Sequence, residues 1–337
     1  MKTLARSIIG FGVVLVMALP LAGEAGGPLA TTPQFAFYSD FETNLHDALL
    51  VAGASRQRER RELFQDDSDA ASCFGRLAPS ARTAWNLAVD YYAKVVSPKS
   101  WMSRQQVLPR FALIGHDDDF DDGDRRFVSI AVGLRQAAGP AYEACYWPRQ
   151  DAENRRWLEK LSPQLQAHQV ALMERLEELY QNPLPEEPVR IDLVGHAPPV
   201  GANTLVSPAH VLIASRTADR DAFEITVHEA SHILMERSDP MQVALKKAAE
   251  EADVELPRDL WHVVQFFTTG EAVKEVLAAA GEPGYVPYME HHGMWNRFWG
   301  KFREAVEGTW PAYLRGERSL DQASADLIAA LPPAADD

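Results

Sequence analysis

Apolar residues in the first half of the chain recur at three- and four-residue spacing. Ala84, Leu87, Ala88, Tyr91 and Val95 form one stripe, and Leu165, Leu172, Met173, Leu176 and Leu179 another, which puts each set on one face of an α-helix. Residues 40–180 are therefore predicted to be mostly helix. Asn182, Pro183, Pro185 and Pro188 break that pattern, since proline supplies no N–H and fixes φ. Beyond them the period changes. Val189 to Val194 alternates as a strand does, and Val211, Leu212 and Ile213 form a short aliphatic run before Ser215. Helical spacing returns over residues 221–237, 241–253, 258–280 and 294–314, and a final helix opens with Ser319 and Gln322 at capping-box spacing and stops at Pro332. The expected fold is α+β and mostly helical. A helical N-terminal region spans 26–182, and a second region, 188–337, carries a small sheet packed over the helix at 221–237. There is no internal repeat.

Composition narrows the class. A chain of 337 residues, 46% hydrophobic, is an ordinary globular protein long enough to bury about 75% of its unfolded surface, so it needs no metal merely to fold. The net charge of −15 argues against nucleic acid and anionic membranes, both of which select clustered Lys and Arg. Lys2 and Arg6 precede an apolar stretch from Ile8 to Leu21, and small residues follow at Gly23 and Ala25. Residues 1–25 are read as an export signal, because the stretch is shorter than the roughly 20 residues of a bilayer span. No Cys stands there to carry a lipid, and no later segment is apolar enough to span. The mature chain is expected in the periplasm or secreted, without stable membrane insertion. Cys73 and Cys145 are the only cysteines; in an oxidising compartment such a pair is expected as a disulfide, the alternative being two buried thiols. The six acids between His116 and Asp124 invite a calcium reading, but with Gly123 at the sixth position of such a loop the third would be Phe120. The run is read as a solvated loop.

One segment carries chemistry. His228, Glu229, Ala230, Ser231 and His232 spell H-E-x-x-H. On a helix His228 and His232 lie one turn apart on the same face and can both offer an imidazole nitrogen to one metal ion. Glu229 is about 100° round the helix, within reach of a water but not itself a ligand. The neighbours Ile225, Thr226, Val227, Ile233 and Leu234 are uncharged, as suits a helix that keeps bulk water from a metal. Chain elements for acyl-serine, P-loop or dinucleotide chemistry are missing from the sequence.

Through His228, Glu229 and His232 and the short strands before them, residues 189–280 resemble the zincins, the H-E-x-x-H zinc metallopeptidases. The resemblance implies one zinc ion per chain, a peptide or protein substrate, Glu229 as general base and a third ligand. The metzincin extension fails, with Met235 where Gly is needed and Ser238 where the third His would stand. The gluzincin pattern takes a Glu from a later helix, and Glu271, an acid in the stripe Leu260, Val264, Phe267 and Ala278, is the expected ligand, since a buried carboxylate needs a partner. Glu275, one turn on, then either orients a ligand His or pairs with Lys246 or Lys247. His262 is the rival third ligand; nine residues from Glu271 is about 180° of helix, so both cannot face one zinc unless Gly270 breaks it. Gluzincins often supply a Tyr or His to the developing oxyanion, which points to Tyr288 and His292. Val211 to Ser215 is a candidate edge strand for an extended peptide. The expected protein is an exported zinc metallopeptidase of gluzincin type; the competing readings are a periplasmic metal-binding or scaffold protein without turnover, and a zinc hydrolase of non-peptide amides.

Overall fold

The computed structural model describes residues 27–58, 68–97, 103–198, 201–236 and 238–333, so the export signal expected over residues 1–25 lies outside them. Two short strands come first, β1 (Ala30–Thr31) and β2 (Phe35–Tyr38). Helix α1 (Phe41–Gln57) opens on Asp40, whose carboxylate accepts the Thr43 N–H at 2.8 Å and so satisfies one free donor of the first turn. Then follow α2 (Ser68–Arg76), α3 (Pro79–Tyr91) running into a π-turn at Tyr92–Val96, and α4 (Arg104–Leu113). Helix α5 (Asp122–Cys145) begins in the acidic run. Asp121 and Asp124 form a capping box there, and Arg104 pairs with Asp124, so the end of the run expected as a solvated loop starts a helix. The 34-residue α6 (Trp147–Tyr180) ends at Gln181 in the left-handed region, φ 53°.

The mostly helical α+β fold expected from the sequence is present. Strands β3 (Val189–Val194), β4 (Ala202–Val206) and β5 (Ala209–Ala214) join β1 and β2 in one mixed sheet of order β1-β2-β3-β5-β4. Pairing is parallel for β2 with β3 and β3 with β5, and antiparallel at the two ends. After the sheet come α7 (Asp219–Ser231), a 3-10 turn (His232–Leu234), α8 (Pro240–Glu251), α9 (Leu260–Ala279), α10 (Tyr288–His291), a π-turn (Trp295–Trp299), α11 (Gly300–Leu314) and α12 (Leu320–Ala330).

Alternation along the strands sorts the two faces of the sheet. Phe35, Phe37, Ile191, Leu193, Val211 and Ile213 share one face and bury the main core against Leu172 and Leu176 of α6 and Phe223 and Val227 of α7. The opposite face carries polar groups, Asp192, Asn203 and His210, all buried. Asn203 and His210 are satisfied by Arg110 of α4, which donates through Nε to His210 Nδ1 at 3.0 Å and through Nη2 to the His210 carbonyl at 2.6 Å, and hydrogen-bonds Asn203 Oδ1 through Nη1. His210 Nε2 in turn lies 2.6 Å from Asp192 Oδ2, where Arg190 also donates. Buried charges require such pairing.

One sequence expectation needs correction here. The run at Val211–Ser215 is no edge, because β5 is hydrogen-bonded on both sides; the edge strands are β4 beside it and β1 at the far end. The proline-rich break falls in the loop between α6 and β3, and contacts cross it: β2 pairs with β3, and α6 shares the main core with α7 and α9. Cys73 and Cys145 form a disulfide from α2 to the end of α5, around a second core that includes Leu49, Trp85, Tyr92 and Tyr142. With a sequence separation of 72, chain-entropy arithmetic gives about 4 kcal/mol. No helix among the described residues is long and apolar enough to cross a membrane.

Candidate metal centre

Helix α7 is buried without interruption from Asp221 to Ser231. Acids Asp219 and Asp221 in its first turn suit the positive end of the helix dipole. His228 near its end and His232, the first residue of the 3-10 turn that follows, reach a common point with a third histidine from α9. One ring nitrogen from each of His228, His232 and His262 lies within 4.8 Å of the other two, and the ring centroids are 5.0, 5.5 and 5.2 Å apart.

A polar ladder fixes the register of α9 against α7. Gln265 Nε2 donates to Ser231 Oγ at 2.9 Å and to the His228 carbonyl at 3.3 Å, while Ser231 Oγ also donates to that carbonyl. Thr269, one turn on, meets both Ser231 Oγ and the Tyr180 hydroxyl of α6. His262 stands one turn before Phe266 on this face, and Phe266 stacks on the His228 ring with centroids 3.5 Å apart. Trp261 lies against His232 and Trp299 against His262, so aromatic rings wall the imidazoles.

Burial sets the protonation states. It holds His228 well below the ordinary imidazole range, with His232 and His262 adding to the effect; it lowers His232 to about 3 and His262 to about 4. Three neutral imidazoles is the form a metal requires. Glu229 is pushed up to about 7 by burial, against the opposing hydrogen bond of Thr204 and the charge of Arg110. Thr204 Oγ1, on edge strand β4, is 2.7 Å from Glu229 Oε2 and 2.8 Å from the Glu229 carbonyl oxygen. The base candidate is therefore held from the sheet side while its helix supplies the ligand candidates.

Glu271, the third ligand expected from the sequence, is not in this group. It lies on the other side of α9 from His262, partly exposed, with both carboxylate oxygens 3.0 Å from Lys274 Nζ. The physical reason is helical geometry: α9 runs unbroken through Gly270, so nine residues turn Glu271 about 180° away. Gly270 serves close packing instead, since a Cβ there would stand 2.9 Å from Pro287 Cβ and 3.0 Å from Glu224 Oε1. Glu275 pairs with Arg175 of α6, and with neither a histidine nor Lys246 or Lys247.

Of the expected oxyanion donors, Tyr288 stacks on Phe266 with ring centroids 6.2 Å apart, and His292 belongs to a neighbouring group around Asp221. His292 Nε2 lies 2.9 Å from Asp221 Oδ2, and Asp221 is seven residues before His228, about 10 Å along the helix. The Tyr288 ring packs on His292 at 4.1 Å and its N–H donates to Glu224 Oε2 at 2.8 Å. Thr204, Gln265 and Phe266 were not legible as site residues. Gln265 and Thr269 are polar interruptions on the same face of an otherwise apolar helix as His262, and that signal could have ranked His262 above Glu271.

Comparison with protein-family models, with curated proteins and with solved structures finds no match for this chain.

Proposed function

We propose that this protein is a zinc metallopeptidase in which His228, His232 and His262 hold the metal and Glu229 is the general base. The observation that carries the reading is the convergence of three neutral imidazoles beside a buried, sheet-anchored glutamate. The residues fit zinc: His228 Nδ1 and His262 Nε2 are buried without a hydrogen-bond partner, an arrangement that is costly unless something binds there. Three histidines with one position left for water is a known catalytic donor set.

Zinc bound there supplies Lewis acidity, which acidifies water and polarises a carbonyl. Glu229 takes the proton from the attacking water and delivers it to the leaving amine. Thr204 orients Glu229 by its hydrogen bond, and Phe266 with Trp299 keeps bulk water from the imidazole cluster. A scaffold without turnover would have no need of a base so placed.

The test combines metal analysis with hydrolysis of casein or a mixed quenched-peptide library. Glu229→Gln is expected to keep zinc and lose at least about 10²-fold in activity. His262→Ala is expected to lose zinc, whereas Glu271→Gln keeps both zinc and activity. Full activity in Glu229→Gln, or zinc retained in His262→Ala and lost in Glu271→Gln, would overturn the assignment.

A further inference from the structure

A second group of metal-competent side chains gathers at Asp221 of α7, two turns before His228, and at the end of α10. One ligand atom each from Asp221, His291 and His292 falls within 4.8 Å of the other two. Asp221 is buried, His292 one-third exposed and His291 at the surface. The His291 and His292 rings are 4.8 Å apart and steeply inclined, at 79°, so adjacent residues offer two separate nitrogens rather than one stacked pair.

The backbone that carries them is fixed beforehand. The Tyr285 hydroxyl and the Tyr288 N–H both donate to Glu224 Oε2, at 2.6 and 2.8 Å, and Pro287 is seated against Gly270. Gly293, φ 61°, turns the chain directly after the pair. A preset backbone reduces the entropy that binding a cation would cost.

Charge points the same way. Asp221 and Glu224 are carboxyls about one turn apart on one side of α7, both buried, and burial together with the Asp221 charge pushes Glu224 up to about 7. Arg220, half exposed, has Nε 3.5 Å from Asp221 Oδ1, a looser contact than a good ion pair. Two imidazoles and a carboxylate are a zinc set; calcium and magnesium take oxygens. At about 10 Å along the helix from His228, the group is too distant to share a ligand with the first centre, where paired metals stand about 3.5–4 Å apart.

We propose that Asp221, His291 and His292 form a second zinc site, independent of the His228 centre, that pins residues 285–292 onto α7. The exposed His291 leaves its outer side open to water as the fourth ligand. The site does not depend on the protein being a peptidase.

The test is titration of the metal-free full chain with zinc chloride against a chromophoric chelator, with direct metal analysis. The expected result is two zinc ions per chain in the unaltered protein, one in His291→Ala and one in His228→Ala. Zinc should slow amide exchange over residues 285–292 in the unaltered protein and in His228→Ala, and not in His291→Ala. His291 is at the surface, so its replacement leaves the fold intact. A single zinc that His228→Ala abolishes and His291→Ala leaves untouched would overturn the second site and spare the first. A single zinc lost only in His291→Ala would support the second site and remove the metal from the proposed peptidase centre. Two zinc ions retained in His291→Ala would also overturn the proposal.

Discussion

A threonine hydroxyl has one proton, and Thr204 stands within hydrogen-bond distance of two oxygens of Glu229. When Glu229 is protonated, its carboxyl can donate to Thr204 Oγ1, which donates onward to the carbonyl. When it is ionised, the single Thr204 proton serves one oxygen or the other. The hydroxyl therefore tracks the charge of the base. A hydrogen bond to an ionised group is worth about 1.5–3 kcal/mol, so Thr204→Val, which keeps the shape, is expected to lower kcat at least about 10-fold with zinc content unchanged. Steady-state kinetics with metal analysis checks this; unchanged kcat would show that Glu229 is placed by α7 alone. At this scale the H-E-x-x-H spacing made His228, Glu229 and His232 legible. Glu271 misled because its stripe leaves the core partway along α9: Leu260 and Val264 are fully buried, Phe267 partly, and Ala278 is exposed. A carboxyl at that crossing finds Lys274 one turn on and needs no metal.

Among elements, α4 does what periodicity alone does not suggest. It sends Arg110 into the polar face of the sheet, where the guanidinium contacts β5 and edge strand β4. Burial lowers Arg110 to about 10, with Asp47, Asp192 and Glu229 opposing the shift, so it stays charged at neutral pH. Arg110→Ala would strand His210 Nδ1 and Asn203 Oδ1 in the interior beside a buried Asp192. The expected loss is about 3–5 kcal/mol, the usual result of breaking a buried charged network on one side, read from urea unfolding with the disulfide intact. A loss below about 1 kcal/mol would mean that water replaces the guanidinium there. Long helices were legible because many apolar positions repeat; β1, β2 and β4 were not. Two to five residues such as Phe35–Tyr38 offer too few alternations to reveal a period, and only pairing, of β1 with β2, β2 with β3 and β4 with β5, gives them a role. For the same reason β5 passed for an edge until its partner β4 was in view.

For the whole molecule, buried ionisable groups set an optimum of stability. His46, His210, His228, His232 and His262 are all lowered, with burial the largest cause in each. Asp47, Glu224 and Glu229 are raised by burial to about 8, 7 and 7. Below pH 6.5 the unfolded histidines take protons that the native ones refuse, so the unfolded state binds more protons and stability falls as pH falls. Above it the native carboxyls keep protons that the unfolded ones have lost, and stability falls as pH rises to about 8. Where the windows overlap the histidines outnumber the carboxyls, so metal-free protein is expected to be most stable near pH 6.5. Urea midpoints across pH 4 to 9 in a chelator measure this. A midpoint still rising at pH 8 would show the three carboxyls ionised in the native state.

The pairing of β2 with β3, which sets Phe37 opposite Ile191, has a kinetic cost. Contacts between segments so far apart in the chain require closure of a large loop before any pairing energy is returned, and proteins rich in such contacts fold slowly. A chain made from its N-terminus can pack α1 to α5 around their own core while β2 waits, unpaired on that side, for a strand more than a hundred residues behind it. The apolar surface on which α7 rests is assembled only after that wait. Until then Phe35 and Phe37 are a short aromatic β-segment open to association with another chain, which makes the interval before closure the point at which this protein is most exposed to aggregation.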